Sequence, residues 1–293
     1  MKERKQKIEK LRITGIVAAV IVIGTIAVIA ANSAANKTVR LTEYTYTHSD
    51  VPYAFDGYKI FFISDLHQAP FADQILEHIK ETQPDVIILC GDLVALPDYN
   101  FDETQKIAEG VGGSIPIYAV SGNHESQNAE YEHIIGNLWD AGIVWLENDD
   151  KTLRKNGDSI RLIGVKDSGI DELSEEVAQD EIIEEIEEFI PENRDEFSIL
   201  INHRADMYPY IKNIGVDLIL SGHLHGGIVR LPFLGGVIGH KYAKRFFPDY
   251  DYGYYEEGEA AMIVSGGCDQ NPNKKRYFNP PEAVLITLER EDW

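Results

Sequence analysis

Cysteine is nearly absent: Cys90 and Cys268 are the only two in 293 residues, which excludes a disulfide framework and leaves room for one bridge at most. Cys90 closes an apolar run and reads as a small buried side chain. Basic residues are scarce as well. Beyond the first 31 residues, 21 Lys and Arg face 47 Asp and Glu, a balance of about −26. So acidic a surface repels phosphate backbones and argues against non-specific binding to nucleic acid or anionic membranes, unless metal ions or a local basic patch intervene. No internal repeat and no low-complexity linker interrupts the chain, so one folded domain is expected over residues 51–293.

The first residues have a different character. Residues 1–12 carry six Lys or Arg against two Glu, and residues 13–31 follow without a charge. Nineteen apolar residues are enough to cross a bilayer core and exceed the apolar core of a cleaved signal peptide. The pattern predicts a signal anchor, with cleavage within Ala30 to Ala35 as the competing reading. Basic residues before the span keep the N-terminus cytoplasmic, so the rest of the chain is expected on the extracytoplasmic side of the cell membrane. No twin-arginine pair precedes the span and no cysteine follows it for a lipid anchor. Residues 32–50 read as a tether running into an edge strand.

From there the periodicity becomes regular. Strands are expected at Lys59 to Ser64, Val86 to Cys90 and Ile115 to Val120. Helices fall between and after them, over Phe71 to Thr82, Asp102 to Glu109 and Glu130 to Ala141. This is α/β alternation. Further strands are expected at Ile143 to Leu146, Thr152 to Arg154, Ser159 to Val165, Phe197 to Ile201, Asp217 to Ser221, Gly227 to Leu231, Ala260 to Ser265 and Ala283 to Leu288. Between them, Asp171 to Glu196 holds thirteen acidic residues and one Arg. Its apolar residues recur near a helical repeat, as in a solvated acidic helix packed by its other face.

Five polar clusters each follow an expected strand: Asp65-Leu66-His67, Gly91-Asp92, Gly122-Asn123-His124-Glu125, Asn202-His203 and Gly222-His223-Leu224-His225-Gly226-Gly227. Taken singly, each suits an ordinary turn. Together, at the carboxyl ends of strands in one α/β sheet, they can converge. Carboxylates, a carboxamide and imidazoles would then give two sites of mixed oxygen and nitrogen donors, suited to Mn, Fe or Zn.

The order D-x-H, G-D, G-N-H-[DE], a later His and G-H-x-H resembles the calcineurin-like metallophosphoesterase family over essentially the whole expected domain. The flanks Phe62 to His67, Gly226 to Pro232 and Arg276 to Glu282 look like its membrane-anchored or exported bacterial branch, similar to the YkuE and YaeI groups. Ala95 stands where many members carry a second Asp. Ser265-Gly266-Gly267-Cys268 replaces a segment that often holds an Arg. The resemblance implies a two-sheet β-sandwich flanked by helices, a four-layer αββα fold, behind the N-terminal transmembrane helix. It implies that Asp65, His67 and His225 bind one divalent metal ion, that Asn123, His203 and His223 bind a second, and that Asp92 bridges the two. His124 is then a catalytic residue beside the pair, able to protonate the leaving oxygen. Glu125 either orients His124 or solvates the turn.

Such a centre hydrolyses phosphate esters through a metal-activated water. Lys244 and Arg245 lie among aromatic residues in an otherwise acidic chain, and together with Arg276 they are candidate contacts to substrate phosphate. A phosphodiester of a lipid or the cell envelope suits this setting. The alternatives are a non-catalytic metal-binding envelope sensor and a nuclease of the same fold, the latter disfavoured by charge.

Overall fold

The computed structural model describes residues 2–168, 183, 186–188, 190, 196–239, 245–270 and 275–291. The expected acidic helix and Lys244 lie largely or wholly outside these; within the former, Ile186 is described and buried. In chain order the elements begin with helix α1 (Lys2–Ala35), strand β1 (Arg40–His48), β2 (Lys59–Ile63), α2 (Ala72–Thr82), β3 (Val86–Cys90), α3 (Asp102–Val111) and β4 (Ile117–Val120). Next come α4 (Asn123–Ser126), α5 (Tyr131–Asp140), β5 (Ile143–Trp145), β6 (Asp149–Lys155), β7 (Asp158–Gly164) and β8 (Ser198–Arg204). The chain closes with α6 (Tyr208–Ile211), β9 (Leu218–Gly222), β10 (Arg230–Leu231), β11 (Gly235–Gly236), β12 (Gly253–Glu256), β13 (Ala261–Val264) and β14 (Glu282–Arg290).

Two six-stranded sheets form, in the orders β1-β14-β2-β3-β4-β5 and β12-β13-β9-β8-β7-β6. Both are mixed; β2, β3, β4 and β5 run parallel, as do β13, β9, β8 and β7. Side chains alternate between faces, and the cores show it. Ile60 and Phe62 of β2, Ile88 of β3, Ile199 of β8 and Leu220 of β9 fill the layer between the sheets. Phe61, Ile63, Ile87 and Leu89 face the other way, onto Ile75 and Ile79 of α2, Ile107 of α3 and Ile134 of α5. Leu200, Ile219 and Met262 point out of the second sheet onto Tyr208, Ile211 and Ile186. Strands covered on both faces are apolar throughout, which is why β2 and β3 read as unbroken runs. The expected sandwich of two sheets flanked by helices is the fold found.

Some boundaries differ from the expectation. The stretch read as a tether holds the last turn of α1, the buried Val39 and then β1, which pairs with β14 along its whole length and buries Tyr46. Gly227 to Leu231 is not one strand. Gly226 and Gly227 adopt positive φ in a 3-10 turn, Val229 makes a single parallel bridge to Tyr277, and Arg230–Leu231 pairs with Gly235–Gly236 as a short hairpin. Among the described residues, α1 is the one helix long and apolar enough to cross a membrane, and its apolar length lies exposed.

Candidate metal centre

Four of the five clusters sit where parallel strands end, and the fifth is displaced into a strand. Asp65 and His67 follow β2, Asp92 follows β3, Asn123 and His124 open α4 after β4, and His223 and His225 follow β9. Asn202 and His203 lie inside β8, where the pairing with β9 shifts register between Ile201 and Arg204. Such a bulge re-aims a side chain at the strand's end. His203 is thereby turned in and is 1% exposed.

Two groups of donor atoms result, each spanning no more than 4.8 Å: Asp65, His67, Asp92 and His225, and Asp92, His203 and His223. Asp92 is common to both. Its Oδ2 lies 3.4 Å from His67 Nε2 and 3.5 Å from His203 Nε2, and Asp65 Oδ1 lies 3.6 Å from His225 Nε2. These gaps exceed ordinary hydrogen bonds, yet they are what two atoms show when each contacts one cation at about 2.0–2.2 Å. Asp65 Oδ1, His67 Nε2, Asn123 Oδ1 and His203 Nε2 are buried with no hydrogen-bond partner. Buried polar atoms rarely go unsatisfied, and a donor set of this chemistry fits divalent cations.

The backbone wiring sorts the imidazoles. His67 Nδ1 donates to Val94 O at 3.0 Å, His203 Nδ1 to Cys90 O at 2.7 Å, and His225 Nδ1 to Asp269 Oδ1 at 3.0 Å. Each bond fixes the proton on Nδ1 and leaves the Nε2 lone pair to a metal. His124 is wired oppositely. Its Nδ1 accepts the Leu96 N–H at 3.0 Å, so the proton sits on Nε2, 4.0 Å from Asp92 Oδ2. In this tautomer His124 Nε2 is a hydrogen-bond donor with no lone pair to offer.

Burial lowers the His67 pKa to about 3, overriding Asp92, so the ring is neutral. Burial lowers His124 as well. At His203 burial also acts downward, but Asp92 outweighs it and holds the pKa well above the ordinary value. Asp92 shows the counterpart: burial pushes up, while His203 and then His67 pull it well below the usual carboxylate range. A proton on His203 thus occupies the charge that a cation would supply, and metal would displace it.

Strain concentrates at the same place. Asp65, His67, Asp92, His223 and His225 have φ of 52°, 43°, 52°, 70° and 48°. Non-glycine residues at positive φ are uncommon, and they persist where surrounding structure over-determines them, often at functional sites. Packing is equally tight at Gly91, φ 74°, where a Cβ would stand 2.6 Å from both Gly122 N and His203 Nδ1.

Three supports escaped the sequence reading. Glu125 neither orients His124 nor faces solvent: it is fully buried, and its two oxygens accept the N–H groups of Asp92, Val94 and Gly122 at 2.8 Å. Burial and the Asp92 charge push its pKa up to about 8. Glu125→Gln turns an NH2 toward one of these donors and should cost about 2 kcal/mol in stability by chemical denaturation; an unchanged midpoint would show that the clasp contributes nothing. Asp269 holds His225, as above. Asn279 Nδ2 donates to His225 O at 2.7 Å. No motif announces Asp269 or Asn279, because each partner lies more than forty residues away.

The expected phosphate contacts are placed differently from one another. Arg276 is 3% exposed, with its guanidinium given to Gly266 O at 2.7 Å, Asp269 O at 3.1 Å and the Asp269 carboxylate. It backs Asp269 from inside, over the segment that carries no Arg of its own. Arg245 is exposed, its guanidinium 5.6 Å from the Phe246 ring centre.

A two-sheet α/β sandwich whose strand ends gather two oxygen and nitrogen donor groups around one shared carboxylate is the arrangement a dinuclear metallohydrolase requires. The profile of the calcineurin-like phosphoesterases matches residues 58–227, and the chain belongs to that family. It is accordingly a metal-dependent phosphoric ester hydrolase by class, in a family that binds a dinuclear divalent-metal site. The chain is 27% identical over 265 residues to the metallophosphoesterase YkuE of Bacillus subtilis, covering 85% of each. It is 28% identical over 187 residues to the phosphodiesterase YaeI of Escherichia coli, covering 61% of this chain and 64% of that one. Among solved structures, TT1561 of Thermus thermophilus aligns with a TM-score of 0.45 at 14% identity, over 72% of this chain and 89% of the other.

Proposed function

We propose that the chain is a membrane-anchored phosphoesterase that hydrolyses phosphate esters, diesters foremost, of a lipid or cell-envelope substrate at a pair of divalent ions. The observation that carries this reading is the sharing of Asp92 between two buried donor groups. Asp65, His67 and His225 would hold one ion, Asn123, His203 and His223 the other, and Asp92 both. Manganese, zinc or iron so held would polarise phosphoryl oxygens and lower the pKa of an attacking water.

The chain's own residues do the remaining work. Val94 O, Cys90 O and Asp269 fix three ring tautomers, so no ligand must reorient during turnover. His124 Nε2–H, held toward the site by Leu96 N–H, donates its proton to the departing oxygen. Arg245 and Lys244 meet the substrate's phosphate, and Arg276 acts through Asp269 on His225. Residues 13–31 of α1 form the span, and the basic residues before it favour an extracytoplasmic catalytic domain. The name of YaeI, a phosphodiesterase, supports the diester preference.

The test uses the full chain in detergent. Elemental analysis should find about two divalent ions per chain, and manganese or zinc should restore turnover of bis(nitrophenyl) phosphate, faster than nitrophenyl phosphate, after chelation. A chain that binds no divalent ion would overturn the site. Bound metal without turnover on either ester would favour the sensor.

A further inference from the structure

The end of α1 does not hang free of the domain. Asn32 Nδ2 and Asn36 Nδ2, one turn apart, both donate to Arg276 O, at 2.9 and 2.8 Å, and Phe278 N donates to Asn32 Oδ1 at 2.8 Å. The loop so clasped is bonded in turn to the β10–β11 hairpin: Arg230 N donates to Tyr277 O at 2.9 Å and Tyr277 N to Ile228 O at 3.2 Å. A cavity of about 540 Å³ lies between helix and loop, with Ile29 of the apolar span in its wall.

The hairpin and its neighbours are apolar and uncovered. Phe233 is 107% exposed and Leu234 65%, while Phe246, Phe247 and Phe278 are also exposed. Phe246 and Phe247 join the same patch through Ile238 and Val237. Phe233 sits at φ 69° at the hairpin tip, a conformation glycine adopts without penalty and a bulky residue does not. The turn it occupies closes the hairpin through Leu234 N and Leu231 O, at 3.1 Å, and leaves the Phe233 side chain wholly to solvent. Arg245, beside Phe246, adds a cation to a patch of aromatic side chains, the composition of a membrane-interface surface.

We propose that this hairpin, with Phe246, Phe247 and Phe278, seats on the same bilayer that α1 spans. The occupant follows from continuity: a patch bonded to the end of an anchored helix meets that helix's own membrane at very high effective concentration. The inference rests on the anchor reading above. It has a consequence for the site, since His225 lies five residues before Arg230 and is tied through Asp269 and Arg276 to the clasp on α1. The hydrolytic site is then held at the headgroup layer, and its substrates are esters presented there.

The experiment labels the full chain in phosphatidylglycerol–phosphatidylethanolamine vesicles. Cys90 and Cys268 are buried, so Phe233→Cys can carry a single environment-sensitive fluorophore. Tyr53→Cys serves as the reference, because Tyr53 is exposed and follows the far end of β1, a nine-residue strand about 30 Å long. The label at 233 should be quenched several-fold more than that at 53 by quenchers placed just below the lipid headgroups. Leu234→Asp introduced beside the label should largely abolish the difference. Equal quenching at both sites, in chains that float with the vesicles, would overturn the seat and leave the anchor standing. Chains that fail to float would overturn both.

Discussion

Asp92→Asn should leave the chain folded, strip it of bound divalent metal, and lower kcat/KM on phosphate esters at least about a thousandfold. The carboxylate has two separate duties. Its Oδ1 accepts the His124 backbone N–H at 2.9 Å, which an amide oxygen can still do, so the turn at β4 should survive. Its Oδ2 faces His67, His203 and His124 together. An amide there presents NH2 to lone pairs and removes the one negative charge common to both donor groups. The metal-free variant should unfold near the metal-free wild type, since the buried His203 can release the proton that Asp92 holds on it. What should vanish is the stabilisation that added manganese or zinc gives the wild type, because a ligand stabilises only the state that binds it. Elemental analysis and a thermal shift with and without metal make the measurement. A variant with wild-type metal content would remove Asp92 from the centre.

The strand ends were legible because burial on both faces writes β2, β3 and β9 as apolar runs, and a polar residue directly after such a run has few places to point. Asp65, Asp92, Asn123 and His223 could therefore be found without coordinates. His203 shows the limit. It was expected after β8 and lies within it, turned inward by a register shift that depends on pairing with β9. Pairing is a property of two segments, and a single apolar run does not encode it. Glu125 fails for a related reason: its partners are backbone N–H groups of a loop some thirty residues earlier, which any sequence supplies.

The supports behind His225 were harder still. Asp269 and Arg276 stand in a stretch without periodicity, and their roles exist only because β13 and β14 bring Gly266, Asp269 and Arg276 together behind the turn after β9. In the sequence Arg276 stands out by its charge, as a candidate phosphate contact; its burial follows from a partner, Asp269, that no spacing rule connects to it. The hairpin beyond His225 was read as a strand from its apolar letters. Two glycines at positive φ break that strand, and its last residue, Leu231, together with Phe233 and Leu234 of the turn after it, faces outward.

His124→Ala should keep both metal ions and lose between about a hundredfold and ten-thousandfold in kcat. The tautomer makes this separation from Asp92→Asn possible. Leu96 N–H can only donate, so His124 Nδ1 must carry a lone pair and Nε2 a proton. A ring wired that way cannot offer Nε2 to a metal, so its loss should leave metal content unchanged. Its Nε2 lies 4.0 Å from Asp92 Oδ2, and the ring, less buried than His67 or His203, would be open to a substrate bound there. The cost should depend on the leaving group. An alcohol departs badly without protonation, whereas nitrophenolate departs well unaided, so the variant should lose much more activity on an alkyl ester than on its nitrophenyl counterpart. Equal losses on the two esters would assign His124 to binding phosphoryl charge and not to proton transfer, and loss of metal would return it to the ligands.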